Sequence, residues 1–567
     1  MTQVPLPTSL SVPTSGAATA PSGPIGFIER RPAQAFAAFL ALHVIVWTTL
    51  PALLYANLPL DLIEALTYGR EWQLGYDKLP PLPWWLTEIM YRAFGSDAAY
   101  YALAQVTVVV AFVTVWATAR SLVGTRGALV AVLIIDGMHY LQYTAVKFNH
   151  DVIQLPFWAL SGYAFHAALK RGRLWHWLLL GFCIGAALWA KYFVVVLAVP
   201  YALFLLLDRE ARRAVATPGP WLAVVVAFIV MAPHLWWLVH SDFLPLAYAE
   251  HRAAPVRGWF DHLLHPALFA VSQIFFLLPS FFIAAALWWP RPSKTPLSRP
   301  VDAGARRHTG SDSVVPTLSG PASAPASPSD RLPHGGTDNT ADAFDRRIVT
   351  LLAFGPGLTT IALGAVSGRG AVAMWGYPLW LYLGLWIVLN ARNALNGDRL
   401  GRVVAAWGAV FAVFALAFVI NYSLLPRFDH RYRAVFFPGD KLAAALTQRF
   451  HAASGQKLSY VIGSMWDGGN IAHYSPDHPR VLIDGLPRRA PWIDLYDLRA
   501  KGAVVVWTVG DSAHLPAQYA AVAGDATVGT PFDLPPRRGD SITHVGWAIL
   551  KPQPHAAAPA DGGTNGK

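Results

Sequence analysis

The sequence predicts an all-α polytopic membrane protein of about eleven transmembrane helices, followed by a small α/β extracytoplasmic domain at its C-terminal end. Three observations predict it. Only 14% of the 567 residues are charged and 54% are hydrophobic, against roughly a quarter charged in soluble domains. Mean hydropathy is +0.37 with the polar tails included, so the apolar stretches must be long, and repeated runs approach the ~20 residues that span a bilayer. Beyond Leu424 the pattern changes to short β-branched runs separated by helical or turn segments. An ordinary soluble enzyme is excluded.

Residues 1–30 are rich in Pro, Ser, Thr and Ala and read as a disordered cytoplasmic N-terminus, without the apolar core of a cleaved signal peptide. Apolar runs follow at about 36–56, 98–119, 127–145, 152–169, 174–190, 192–207, 220–240, 265–289, 348–366, 373–391 and 402–424, making residues 31–424 the transmembrane domain. The stretch 174–207 reads either as two short spans or as one long helix. With a cytoplasmic N-terminus, the inside segments hold Arg30, Arg31, Arg120, Arg126, Lys170, Arg171, Arg173, Arg209, Arg212 and Arg213, while the outside loops hold far fewer cations. The net charge of +11 therefore reads as positive-inside bias, with no nucleic acid as partner. Residues 291–345 are rich in Pro, Ser, Gly and Ala and read as a disordered cytoplasmic insert. The segment 425–552 carries strand-like runs at 459–464, 480–484, 503–509 and 544–550 and a helix in KLAAALTQRFHAAS, and 553–567 reads as a disordered tail. The lone cysteine, Cys183, lies in an apolar run and supports neither a disulfide framework nor a cysteine zinc site.

The chemistry concentrates in the first outside loop, 57–97. Asp61 and Glu64 stand three apart, which on a helix puts both carboxylates on one face where the chain leaves the membrane. They read either as solvated loop acids or as a general base facing a lipid-linked substrate. Downstream, Asp77 and Lys78 precede a Pro-Pro step, and Trp84 and Trp85 read as interfacial anchors. Arg70 and Lys78 either pair with neighbouring acids or bind a lipid phosphate as it leaves. The second outside loop places Asn149, His150 and Asp151 at the start of a span, where Asp151 serves as a functional acid, a helix N-cap, or both. Lys191 interrupts an apolar run and either snorkels or reaches phosphate in the same cavity. Asp136 and His139 sit at intramembrane depth, facing each other or something else polar.

The first-loop sequence DLIEALTYGREWQLGYDKLPPLPWWL, with FNHDVIQLPFWAL and ALWAKYFVVVL, resembles the bacterial branch of the dolichyl-phosphate-mannose protein mannosyltransferase superfamily, glycosyltransferase family 39, relatives of the lipid A aminoarabinose transferase. The likeness runs over most of residues 30–424. It implies a GT-C fold with a large catalytic first external loop and a bacterial inner-membrane location, the C-terminal domain being periplasmic. That family usually places adjacent acids in the first loop and a Lys or His just before Pro-Pro. Here the acids are spaced Asp61-x-x-Glu64 and Leu79 stands between Lys78 and the prolines. The resemblance maps Asp61 onto the catalytic aspartate, Asp151 onto the second-loop acid and Lys191 onto a basic residue near the donor phosphate.

It further implies transfer of a monosaccharide from a polyprenyl-phosphate donor, drawn from among the membrane lipids, to a lipid, glycan or protein acceptor. In an inverting displacement Asp61, with Glu64 and Asp151 as companion acids, would handle the acceptor hydroxyl, while Lys78, Lys191 and Arg70 neutralise the departing phosphate. His150, Asn149 and Asp77 are candidates for acceptor binding or support. The cofactor and metal readings stay open: a divalent cation held by Asp61 and Asp151 is one route to charge neutralisation and the lysines are the other. Competing readings are a transporter or lipid flippase using Asp136, His139 and Lys191, and an assembly or sensor protein whose C-terminal domain binds glycan through Trp466, Asp467, Asn470 and His473, residues that also suit turns and caps.

Overall fold

The computed structural model describes residues 23–252, 255–288, 341–391, 397–429, 431–539 and 541–553. Pro24 and Pro32 each open a helix at the position where a missing N–H costs nothing. These are α1 (Pro24–Arg30) and α2 (Pro32–Leu54), so the segment expected to be disordered is helical from residue 24. In α2 the buried residues Phe36, Phe39, His43, Trp47 and Pro51 recur every three to four positions, one face of a helix turned inward. Two helices lie outside the spans, α3 (Leu60–Gly69) and α4 (Leu82–Phe94), before α5 (Asp97–Asp136). Gly124 interrupts α5 with φ 69° and ψ 175°, a conformation few side chains tolerate. Phe112 and Asp136, equally far from Gly124 on either side, both meet His43, the ring of Phe112 at 5.3 Å and the Asp136 carboxylate at 3.0 Å. The chain therefore doubles back at Gly124, and α5 contains two of the expected spans.

Next come α6 (His150–Arg171), α7 (Leu174–Ala190), α8 (Val195–Leu207), α9 (Arg212–Val215), α10 (Pro218–His240), α11 (Leu244–Arg252) and α12 (Asp261–Ala285). After residues outside the described set, α13 (Ala343–Ser367), α14 (Leu383–Asn390) and α15 (Gly397–Val419) complete the bundle. Six helical stretches among the described residues are long and apolar enough to cross a membrane, α5 counting once, and the other apolar runs fall on shorter or less apolar helices. The 174–207 region is two short helices, parted where Lys191 takes an extended backbone with φ −164° and ψ 136°. Of the expected insert, 291–340 lies outside the described residues, whereas Asp342 caps α13 through a capping box with Asp345. Residues 554–567 of the expected tail lie outside them as well.

Segments expected on one side of the membrane meet one another. Arg126 donates to the Glu29 carbonyl at 3.0 Å, Lys170 pairs with Asp342 at 2.6 Å, and Arg347 pairs with Asp208 at 2.7 Å. At mid-bundle, Asp136 accepts from Trp407 Nε1 at 2.6 Å and Gln142 Nε2 at 3.0 Å, besides its approach to His43. Its partner is thus not His139, whose ring stacks on Tyr143 and Phe276.

The C-terminal domain comprises α16 (Gly439–Ser454), β1 (Tyr460–Gly463), α17 (Met465–Tyr474), β2 (Arg480–Ile483), α18 (Leu495–Lys501), β3 (Ala503–Trp507), β4 (Thr527–Val528), β5 (Phe532–Leu534) and β6 (Thr543–Leu550). The sheet order is β2-β1-β3-β6-β4, with β5 also paired to β6. β1 runs parallel to β2 and β3, with Val461 opposite Val481 and Val504, while β6 returns antiparallel with Ile549 opposite Val504. Strands β4 and β5, too short for a hydrophobic pattern, are the two that the sequence does not signal. The domain sits on α3 through α17. A Cβ on Gly469 would lie 2.6 Å from both Ile63 Cγ2 and Thr67 Oγ1, so glycine is what allows the two helices to approach.

Candidate functional site

Helix α3 is the floor of the site, and every residue from Leu62 to Gly69 except Glu64 is buried. The C-terminal domain covers one side of it and α4 another, with Trp84 stacked on Tyr68 at 4.3 Å and edge-on to His150 at 4.8 Å. Trp84 is therefore a core residue rather than an interfacial anchor, because the aromatic stack buries it to 2% exposure. Asp61 and Glu64, sharing the one face of α3 left uncovered, open onto a cavity of about 360 Å³. Lys78, Asn149, His150, Asp151 and Lys191 line the same cavity, four sequence-distant segments meeting at one end of the bundle.

Each cation in it is held by its own carboxylate. Lys78 Nζ lies 3.1 Å from Glu64 Oε1, and Lys191 Nζ donates to Asp151 Oδ1 at 2.5 Å. The extended break between α7 and α8 is what aims Lys191 inward, and its side chain is 11% exposed. Asn149 links the two acids of separate loops: its Oδ1 caps α6 by accepting from the backbone of Asp151 and Val152, and its Nδ2 donates to Asp61 Oδ2 at 2.9 Å. The N-cap is thus Asn149 and not Asp151, whose side chain is free of that duty because it engages Lys191. His150 Nε2 meets the Pro80 carbonyl at 3.0 Å and fastens the Pro-Pro step to α6. Burial pushes the Glu64 carboxyl above its ordinary range; Lys78 draws it back and the Asp61 charge raises it again.

Two of the expected residues lie elsewhere. Arg70 donates to the carbonyls of His478 at 2.8 Å and Pro479 at 3.0 Å, because the end of α3 points it at the C-terminal domain. Asp77 accepts from Tyr68 at 2.5 Å and from Arg489 at 2.7 Å, turning its back on Lys78. Arg489 also reaches Asp484, so this chain of charges ties the first loop to the sheet. Three of the four glycan-contact candidates of the C-terminal domain are engaged within the protein: Asp467 accepts from Ser464 and Thr508, Asn470 from Asn57 at 3.0 Å, and Trp466 packs on Phe437, whereas His473 is half-buried with Nε2 3.7 Å from Asp97 Oδ1. Four lining aromatics, Tyr192, Phe193, Tyr248 and Trp375, went unremarked in the sequence. Tyr192 follows Lys191, Tyr248 lies on α11 and Trp375 in a 3₁₀ turn, its ring 5.2 Å from Lys191 Nζ. Single aromatics in loops carry no periodic signal, although a tryptophan opening an apolar run was a hint. Among the described residues, no three His, Cys, Asp or Glu gather as a metal site.

The fold and this cavity define a class, a bundle of long apolar helices with its polar site under a small α/β domain. Residues 78–237 match the family described as Dolichyl-phosphate-mannose-protein mannosyltransferase. The fold is that of ArnT from Cupriavidus metallidurans: the structure bound to undecaprenyl phosphate superposes with a TM-score of 0.56 at 12% identity, covering 93% of this chain and 100% of that one. The apo structure gives 0.54 at 13% identity, covering 92% and 98%. Among curated relatives from Rhizobium johnstonii, lipid A galacturonosyltransferase RgtD is 30% identical over 185 residues, 31% of this chain and 37% of that one. Lipopolysaccharide core galacturonosyltransferase RgtB is 28% identical over 198 residues, 34% of this chain and 39% of that one. The chain thus matches about two-fifths of the length of these relatives.

Proposed function

We propose that this protein is a membrane glycosyltransferase that moves a monosaccharide from a polyprenyl-phosphate donor to a hydroxyl of an acceptor on the extracytoplasmic face of the bacterial inner membrane. The observation that carries the reading is the cavity itself: two lysines, each positioned by its own carboxylate, beside an aspartate held by Asn149. A donor anchored in the bilayer has its scissile bond at the headgroup plane, and α3 follows directly on the C-terminal end of the apolar helix α2. In this reading Lys78 and Lys191 bind the phosphate, and they stabilise it more strongly as negative charge builds on the departing oxygen. Glu64 and Asp151 are positioning residues for those lysines. Asp61 takes the proton of the acceptor hydroxyl as that oxygen bonds to the anomeric carbon and the carbon–phosphate-oxygen bond breaks. The names of the curated relatives favour an envelope glycolipid among the lipid, glycan and protein acceptors.

A translocation path through Asp136 is disfavoured, since that carboxylate is fully buried and engaged by Trp407 and Gln142. The test is release of polyprenyl phosphate from a mixture of polyprenyl-phosphate sugars by membranes holding the protein and an envelope-glycolipid extract. Release by the wild type that an Asp61→Asn variant lacks is the expected result. Equal release by the variant would refute the role of Asp61, and no release by the wild type would refute the transferase.

A further inference from the structure

The segment joining α15 to the C-terminal domain lines two separate cavities. One, of about 360 Å³, it shares with Asp61 and Lys147, and Arg431 and Arg433 face it. The other is an open groove of about 860 Å³ that none of these residues lines. Leu54 at the end of α2, then Arg427, Phe428 and Asp429, and Arg538 from the loop between β5 and β6 form its walls.

One side of this groove suits hydrocarbon and the other suits an anion. The helical stretch that ends at Arg427 is the least buried of the six membrane-length stretches among the described residues. Beside it Phe428 is 75% exposed and Leu53 70%, so the apolar surface of the bundle runs on to the rim of the groove. The polar side carries two exposed guanidinium groups. Arg427 closes the apolar stretch, where cations meet headgroups. Arg538 is aimed: one N–H donates to the Tyr422 carbonyl at 2.8 Å and the group stands 5.5 Å from the centre of the Phe436 ring, which leaves other donors of its fork for a ligand. Asp429 is the one lining carboxylate among the described residues. Its two oxygens accept from Arg433 at 2.7 and 2.8 Å and Arg431 acts on it as well, so its charge is met by residues outside the groove.

A water-soluble anion would use the arginines and leave the apolar rim bare, and a neutral lipid would do the reverse. We propose that the groove binds an anionic phospholipid from the leaflet on the side of the C-terminal domain, its phosphate between Arg427 and Arg538 and its acyl chains along Leu53, Leu54 and Phe428. Guanidinium groups suit the phosphate because each offers it paired N–H donors. Arg427 belongs to the end of the bundle and Arg538 to the domain, so one headgroup bridges the two. It thereby steadies the joining segment that also walls the cavity of Asp61. Occupancy involves no sugar transfer and is independent of the proposed reaction.

The test uses the full-length protein in nanodiscs of phosphatidylcholine, alone or mixed with phosphatidylglycerol. Lipid retained after extraction is identified by mass spectrometry, and Tm is measured in both compositions. Loss of the charge-assisted hydrogen bonds in Arg427→Gln/Arg538→Gln is expected to lower phosphatidylglycerol retention about tenfold or more and to abolish its preference over phosphatidylcholine. Wild-type Tm should rise with phosphatidylglycerol while that of the double variant does not, the two melting alike in phosphatidylcholine alone. Phe428→Ser should weaken retention and keep the preference. Unchanged preference in the double variant would overturn the inference. So would an equal loss in Lys457→Gln, an exposed cation of the same domain that does not line the groove, which would reduce the effect to net charge. An equal loss in Lys78→Gln would move the lipid to the first cavity, and release of the lipid by inorganic phosphate would make the groove a site for the free ion; either result refutes the assignment.

Discussion

Removing Lys191 is the sharpest test of the two-lysine arrangement. Its ammonium is 2.5 Å from Asp151 and almost excluded from solvent. A unit charge about 4 Å from a developing phosphate charge interacts by about 4 kcal/mol at an effective dielectric of 20. Only the part that grows between ground state and transition state accelerates the reaction, and a charge-assisted hydrogen bond is worth about 1.5–3 kcal/mol. Lys191→Met should therefore lower kcat by roughly ten- to a hundred-and-fifty-fold. The same substitution takes the ammonium away from the buried Asp151 carboxylate, a loss of about 3–5 kcal/mol in stability that by itself would lower activity. Asp151→Asn/Lys191→Met removes both charges and separates the two effects. Thermal unfolding and single-turnover release of polyprenyl phosphate should show the double variant recovering most of the lost stability while kcat stays low. A double variant with wild-type kcat would refute the assignment of Lys191 to the leaving phosphate.

Other expectations follow from the same geometry. Gly469→Val puts side-chain carbon where a Cβ alone already lies 2.6 Å from Ile63 and Thr67 of α3, so overpacking should cost about 1–3 kcal/mol, read as a lower Tm and increased protease cleavage between the bundle and the C-terminal domain. Burial pushes the Asp467 carboxyl up to about 6 despite the Ser464 and Thr508 hydroxyls. A raised folded-state value means that its stability contribution is complete below the ordinary aspartate range near 4 and is lost as pH rises through about 6. Asp467→Asn should flatten that dependence and raise Tm at pH 7 by the equivalent of about 2–3 kcal/mol; a steeper or unchanged pH profile of Tm would contradict it. With lysines neutralising the phosphate, donor turnover should survive EDTA, and a chelator-sensitive rate restored by a divalent cation would move that role to a metal.

The membrane class, the apolar runs and the change of character after residue 424 were legible in the sequence because they are statements about composition and period, which act locally. Asp61, Glu64, Lys78, Asp151 and Lys191 were legible as candidates for a related reason: a charge beside an apolar run is expensive unless something uses it. What each one touches was not. Glu64 and Asp151 became holders of lysines, Asn149 became both cap and link to Asp61, and Arg70 and Asp77 turned to the C-terminal domain. The apolar stretch 174–207 could not reveal where it would break, since both halves satisfy the same hydropathy, and the break is what places Lys191. Nor could local pattern show that Lys147 and Arg431, nearly three hundred residues apart, share a cavity with Asp61. The sequence alone determined which segments leave water and which side chains resist leaving it, because transfer free energy is nearly additive over residues. Pairing, cavity shape and the two-sided exposure of Asp61 were decided only in the tertiary structure, where long-range packing selects each charge's partner.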